Sequence, residues 1–248
     1  MKKIKRIFVS TYIKIKHIIP LKFQFIIEDY IFLYLPIWFI RKLTIEYDGY
    51  LKNYKPKKGD TVLDCGAYKG HFTLIASRLV GENGLVFSFE PQAKLFDFIN
   101  KRIKKYNKKN IIPINKGLYS HKSSISIEEE TSDGGFSIVD RKNDFVSDSA
   151  TIDLIDLDSF IQDFQLKRLD FIKMDIEGAE IEALQGAKKT LKNYSPQIAI
   201  ASYHIRQGAQ TAIWIEHFLT EQGYKSWTDF PLHLTTYGNK LGVTPEIV

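Results

Sequence analysis

Four groups of residues carry the side chains that can do chemistry in this chain. The run Thr61-Val62-Leu63-Asp64-Cys65-Gly66-Ala67-Tyr68-Lys69-Gly70 is an apolar stretch that ends in an aspartate and a glycine loop, and a second apolar stretch, Leu85-Val86-Phe87-Ser88-Phe89, ends in Glu90-Pro91. Strand, glycine turn, helix, strand, acid is the order of a nucleoside-binding βαβ unit, in which the acid at the second strand tip accepts hydrogen bonds from ribose hydroxyls. Asp175 and Glu177 follow a third apolar run, and His204 closes a fourth, Ile198-Ala199-Ile200-Ala201-Ser202-Tyr203. An imidazole or carboxylate there can take a proton from a substrate hydroxyl, and Asp175 with Glu177 can offer oxygen ligands to Mg²⁺ or Ca²⁺.

Which nucleoside is expected turns on the glycines. A G-x-G-x-x-G loop lets the backbone approach a pyrophosphate, which docks on the following helix N-terminus. Here only Gly66 and Gly70 are present, in the pattern D-x-G-x-x-x-G. That loop suits a ligand without phosphates, with Asp64 near a cationic amine, and S-adenosylmethionine is such a ligand. A dinucleotide and a tight structural turn in an unrelated α/β domain are the two other readings of the loop.

The elements around these residues follow the period of a doubly wound sheet. Phe72, Ile75, Ala76 and Leu79 fall at helical spacing after Gly70, and Leu95, Phe98, Ile99, Ile103 and Tyr106 do so after Pro91, with Lys101, Lys104 and Lys105 on the solvated side. Residues 110–114 read as a third strand. Residues 116–150 lose the helical period; 123–128 alternate like an exposed strand and Asp133-Gly134-Gly135 reads as a turn, so this stretch is expected to be an insertion near the substrate side. Period two places Lys173, Asp175 and Glu177 on one side of a strand end, ahead of one helix bearing Ile181, Leu184, Ala187 and Leu191. The expected fold is α/β, with parallel strands and intervening helices.

The chain has 248 residues and 44% hydrophobic content, enough for a globular body at 51–248 behind a basic, aromatic-rich helical segment at 1–50. Residues 1–58 hold 13 Lys/Arg against 4 Asp/Glu, a net of +9, and the other 190 hold 22 against 25, a net of −3. The basic character belongs to the N-terminal segment, which weakens the case for a nucleic-acid groove in the body. Cys65 is the single cysteine, expected to be a packing residue, and a reducing cytoplasm suits the chain. Residues 23–40 are dense in apolar side chains, but Glu28, Asp29 and Pro36 interrupt them, so no bilayer span is expected. Three readings of the segment stay open: a peripheral contact with anionic lipid, a lid or homodimer surface, and a cover over one sheet edge.

Taken together, D-x-G-A-x-x-G, F-E-P and I-K-x-D-x-E-G-A-E resemble the FkbM family of S-adenosylmethionine-dependent methyltransferases over residues 54–224. The resemblance implies a class I methyltransferase fold with a Rossmann-like, mostly parallel seven-stranded sheet, and O-methylation of a sugar, glycan or natural-product hydroxyl. It assigns Asp64, Gly66, Ala67, Tyr68, Gly70, Glu90 and Pro91 to the cofactor, and Asp175 and Glu177 to the substrate side, with Asp175 also near the cofactor. The family commonly has Asn at the position of Tyr68 and an acid at that of Ser202.

Methyl transfer from a sulfonium needs the acceptor oxygen in line with the methyl-sulfur bond, so positioning supplies most of the rate. His204, Asp175 and Glu177 form the expected catalytic set, and Asp175 and Glu177 the metal ligands if a metal takes part. The alternative class is a non-catalytic cofactor- or glycan-binding scaffold with this fold. A dehydrogenase is disfavoured by the missing middle glycine. A nucleic-acid substrate is not expected, since Asn193-Tyr194-Ser195-Pro196 lacks the paired prolines of an amino-methyltransferase tetrad and Cys65 sits on the cofactor strand. The acceptor-side tail at 227–237 has no transferable code.

Overall fold

A computed structural model of the chain describes residues 18–41, 45–128, 149–229 and 234–240. The centre is the strand β1 (Thr61–Cys65), whose five residues are all buried. A run buried on both faces is what a parallel strand between two helix layers requires. Helix α4 (His71–Val80) follows β1, with α1 (Leu21–Tyr34), α2 (Ile37–Arg41) and α3 (Ile45–Tyr50) preceding it in the chain. Then come β2 (Leu85–Phe89), α5 (Ala93–Lys105) and β3 (Ile111–Ile114), stepping outward on one side of β1.

After β3 the chain forms the short β4 (Gly117–Leu118), β5 (Ser123–Glu128) and β6 (Ser149–Ile155), a separate three-stranded sheet in the order β4-β6-β5. The alternating strand expected over 123–128 is present, antiparallel to β6, and β6 carries the segment past 150 to Ile155. The turn expected at Asp133-Gly134-Gly135 lies outside the described residues. Helix α6 (Leu157–Asp163), capped by the Asp156 side chain, leads to β7 (Phe171–Met174) on the other flank of β1. The helix expected after Glu180 is two helices, α7 (Glu180–Gln185) and α8 (Lys188–Tyr194). They part at Gly186, where a Cβ would stand 2.5 Å from the Tyr119 carbonyl oxygen.

The chain ends with β8 (Gln197–Ala201), the small hairpin β9 (Ile205–Arg206) and β10 (Ala209–Gln210), α9 (Thr211–Glu221), β11 (Tyr224–Asp229) and β12 (Thr235–Lys240). The main sheet has seven strands in the order β11-β12-β8-β7-β1-β2-β3, and β12 runs antiparallel between β8 and β11. This is the class I methyltransferase arrangement. The direction of winding reverses between β1 and β7, and the crevice beyond their carboxyl ends is where an open α/β sheet binds its ligand.

The N-terminal helices are built into the body. Ile31, Phe32, Leu35, Phe39 and Ile40 share one core cluster with Val62 of β1, Ile75 of α4 and Phe171 of β7. The Arg78 guanidinium donates to the Phe32 and Leu35 carbonyls at the end of α1, oxygens that no helical N–H reaches. Glu28 and Asp29, the two acids inside the apolar run, face inward: Glu28 lies 3.4 Å from His71, and Asp29 pairs with buried Arg102 of α5. No helix among the described residues is long and apolar enough to cross a membrane.

Candidate active site

Asp64 is fully buried at the end of β1. Its Oδ2 accepts from the Thr73 hydroxyl at 2.6 Å, and its Oδ1 lies 3.1 Å from Lys173 Nζ. The Lys173 ammonium also donates to the Gly66 carbonyl at 2.7 Å, so this buried pair ties the β1 loop to β7 from beneath. Gly66 has φ +80, and a Cβ there would stand 1.8 Å from the Asp175 carbonyl oxygen. Only glycine allows the two loops to close on each other. Ala67 is buried and its N–H donates to the Phe89 carbonyl; Gly70, in the left-handed region, precedes α4 as its N-cap residue.

The Tyr68 N–H donates to Glu90 Oε2 at 2.8 Å, and the Gln92 N–H donates to Oε1 at 3.0 Å. Burial pushes the Glu90 carboxyl up to about 7, against the pull of those two backbone donors. Glu90 and Pro91 border a cavity that also meets Gly66, Leu95, Leu118, Asp175 and Glu177. Of the residues expected from sequence, Gly66, Tyr68, Glu90, Pro91, Asp175 and Glu177 line this one crevice, whereas Ala67, Gly70 and His204 are not in its lining. Asp64, expected near a cofactor amine, is instead fully buried and faces the ammonium of Lys173.

Opposite Glu90, β7 ends at Met174 and residues 175–179 form a turn in which Glu177 has φ +55. This corrects the period-two expectation: the alternation stops with the strand, so Lys173 lies buried under the Gly66 carbonyl while Asp175 stands in the turn above. Asp175 accepts from the Tyr50 hydroxyl at 2.7 Å and from the Tyr203 hydroxyl at 3.2 Å. Neither tyrosine was a sequence candidate. Tyr203 borders the expected strand end and had a local signal; Tyr50 lies 125 residues from Asp175 and had none.

His204 sits among three carboxylates. Its Nδ1 is 3.4 Å from Glu180, and its Nε2 is 3.4 Å from Glu177 and 4.0 Å from Asp175. Glu180 is fully buried and its Oε1 accepts from the Ile176 and Gly178 N–H groups, which explains the second glutamate of the I-K-x-D-x-E-G-A-E string. Burial disfavours the imidazolium, but Glu177, Glu180 and the charge of Asp175 outweigh it and raise His204 to about 10. At neutral pH this favours the imidazolium over the free base that would accept a proton from a substrate. Donor atoms of Asp175, Glu180 and His204 lie within 4.8 Å of one another. The carboxylates of Glu180 and Asp175 nevertheless face opposite ring nitrogens, as around a bridging imidazolium.

A family model described as the methyltransferase FkbM domain matches residues 64–226. The chain belongs to the FkbM methyltransferase family. The match begins at Asp64 and takes in Gly66, Glu90, Asp175, Glu177 and His204, but Tyr50 lies outside it. Hexuronic acid methyltransferase AglP of Haloferax volcanii is 28% identical over 160 residues, 63% of this chain and 62% of that protein. A methyltransferase FkbM from Methylobacillus flagellatus shares the fold with TM-score 0.55 and 19% identity, over 82% of this chain and 52% of that one. Fibrillarin of Aeropyrum pernix, solved with bound S-adenosyl-L-methionine, superposes with TM-score 0.50 and 12% identity, over 78% and 74% of the two chains. The departure from the FkbM pattern at Tyr68 has a structural reading: φ is +51 and the side chain is partly exposed, so this position meets Glu90 through its backbone N–H. Asn adopts that left-handed conformation more readily than Tyr, but either residue supplies the same donor.

Proposed function

We propose that this chain transfers a methyl group from S-adenosylmethionine to a hydroxyl of a sugar, free or within a glycan. The observation that carries the reading is Glu90, a buried carboxylate at the tip of β2 beside a cavity floored by Gly66 and walled by Phe89 and Leu95. The donor set fits an adenosine: an acceptor pair for ribose hydroxyls, apolar surface beside it, and no backbone cradle for a pyrophosphate. When bound, S-adenosylmethionine supplies an electrophilic methyl on a sulfonium.

The chain's own residues do the rest. Gly66 lets the β1 loop meet the Asp175 backbone, which brings the Glu90 half of the crevice against the Asp175 half. Tyr50 and Tyr203 fix both carboxylate oxygens of Asp175, so it meets an acceptor hydroxyl in one orientation and can receive its proton. His204, as imidazolium, holds Glu177 and Asp175 by charge and does not act as the base. Asp64 and Lys173 position the loop from below. In this reading Asp175 and Glu177 face the His204 ring, at 4.0 and 3.4 Å, and act without Mg²⁺ or Ca²⁺. The hexuronic acid named for the Haloferax volcanii relative makes uronic acid glycosides the first acceptors to try.

Calorimetry with S-adenosylmethionine, followed by a methyl-transfer assay on uronic acid and neutral hexose glycosides, tests this. Binding by the wild type, loss of binding in Glu90→Ala, and transfer unaffected by excess EDTA are expected. No binding at millimolar cofactor would favour a non-catalytic scaffold, and transfer abolished by EDTA and restored by Mg²⁺ would return Asp175 and Glu177 to the metal role.

A further inference from the structure

Helices α1 and α2 carry apolar residues on two opposite sides. The inner side, with Ile31, Phe32, Leu35 and Phe39, belongs to the core. On the outer side Phe23, Ile26, Tyr30 and Tyr34 recur at intervals of three and four, and Trp38 extends the row into α2; each is between 48% and 63% exposed. A helix apolar all round is ordinarily buried all round. Here a row about 16 Å long within α1, from the helical rise between Phe23 and Tyr34, faces outward.

Composition and charge identify what covers it. The row is rich in Tyr and Trp, whose rings are apolar with one polar edge and collect at the head-group level of bilayers. The sequence leading into it, residues 1–19, contains Lys2, Lys3, Lys5, Arg6, Lys14 and Lys16 and no acid. The two acids of α1 add no repulsion, because Glu28 and Asp29 are buried against His71 and Arg102 on the inner side. At the end of the row Arg41 is neutralised by Asp48. A second copy of this chain would carry the same excess of positive charge, whereas an anionic surface complements it.

We propose that the outer face of α1 and α2 rests on an anionic bilayer surface, with the aromatic row in the head-group region and the basic residues at 2–16 supplying the attraction. The contact is interfacial and does not span the bilayer. It stands independently of the reaction proposed above, and its readout requires no activity.

The test is sedimentation of the full-length protein with vesicles of phosphatidylcholine alone or of phosphatidylcholine mixed with phosphatidylglycerol. The wild type is expected to sediment only with the mixed vesicles and to be released by raised salt. A Tyr30→Ser/Tyr34→Ser/Trp38→Ser variant is expected to bind them on the order of tenfold more weakly, since it loses interfacial aromatic area. Its thermal melt should match the wild type, because these side chains are outside the core. A second variant, Lys2→Gln/Lys3→Gln/Lys5→Gln/Arg6→Gln, should lose the preference for phosphatidylglycerol. Wild type left in the supernatant, equal sedimentation with both vesicle types, or unchanged binding by the triple variant would overturn the inference. So would a wild-type dimer by sedimentation velocity that the triple variant converts to monomer without any vesicle binding, which would give the face to a second copy.

Discussion

Glu90 combines two demands that pull against each other. Burial favours its neutral form, which is why its carboxyl sits near 7, while a ribose presents hydroxyl donors that favour the carboxylate. For the proposed ribose contact the sign follows: an adenosine held by Glu90 binds its ionised form, so affinity should rise with pH through the Glu90 pKa. Calorimetric affinity for S-adenosylhomocysteine is expected to strengthen between about pH 6 and 8 and then level off, with Glu90→Gln flattening the slope. For folding without ligand the sign is opposite. The raised pKa means that the folded chain keeps a proton the unfolded chain releases, so the contribution is full below the ordinary carboxyl value of 4.5 and is lost as pH rises through about 7. Affinity that weakens over the same pH range would show that the ligand does not bond to this carboxylate. The place of Glu90 at the cavity was legible in sequence because it needs only a strand tip and an acid. The protonation of His204 was not, because it depends on Glu177, Glu180 and Asp175 arriving around one ring from a separate turn.

Among the elements, those nearest the centre were the ones periodicity could find. β1, β2, β3, α4 and α5 lie close to their expected bounds, since β1, β2 and α4 stop at Gly66, Glu90 and Gly81 and the apolar residues of α5 recur at helical spacing. Sequence period fails where another element decides. β7 keeps pairing with β1 only as far as Met174 against Cys65, and nothing within the strand marks that limit. At the break between α7 and α8, the Tyr119 carbonyl of a distant loop occupies the space that a Cβ on residue 186 would need. On α5 the expected solvated face is real for Lys101 and Lys104, yet Arg102 between them turns inward to Asp29 of α1. The Tyr106 hydroxyl and Lys105 reach the same carboxylate. Removing one partner of a buried pair leaves an uncompensated charge, so Asp29→Ala should lower stability by about 3–5 kcal/mol. Urea unfolding would measure it; a loss below about 1 kcal/mol would mean that Arg102 finds water in the variant.

For the whole molecule, helices α1 to α3 are part of the fold they precede. Leaving out residues 1–45 would strip Ile31, Phe32, Leu33, Leu35, Phe39 and Ile40 from the core. At roughly 1.5–3 kcal/mol for each large side chain, the six together come to about 9–18 kcal/mol, as much as the whole stability of an ordinary domain, about 5–15 kcal/mol. The shortened chain is therefore expected to lack a cooperative thermal transition by circular dichroism, and an unchanged melt would refute the claim that the helices are structural. The same layout bears on the order of synthesis. Asp29 leaves the ribosome 76 residues ahead of Lys105 on the helix that anchors it. At about 5–20 residues per second, that delay is on the order of 4 to 15 s. Within it, Tyr47 and His71 emerge and can receive Phe32 of α1, the first of the described helices, while Arg102 and Lys105 are still to come, so the apolar side of that helix can dock before its acid is paired.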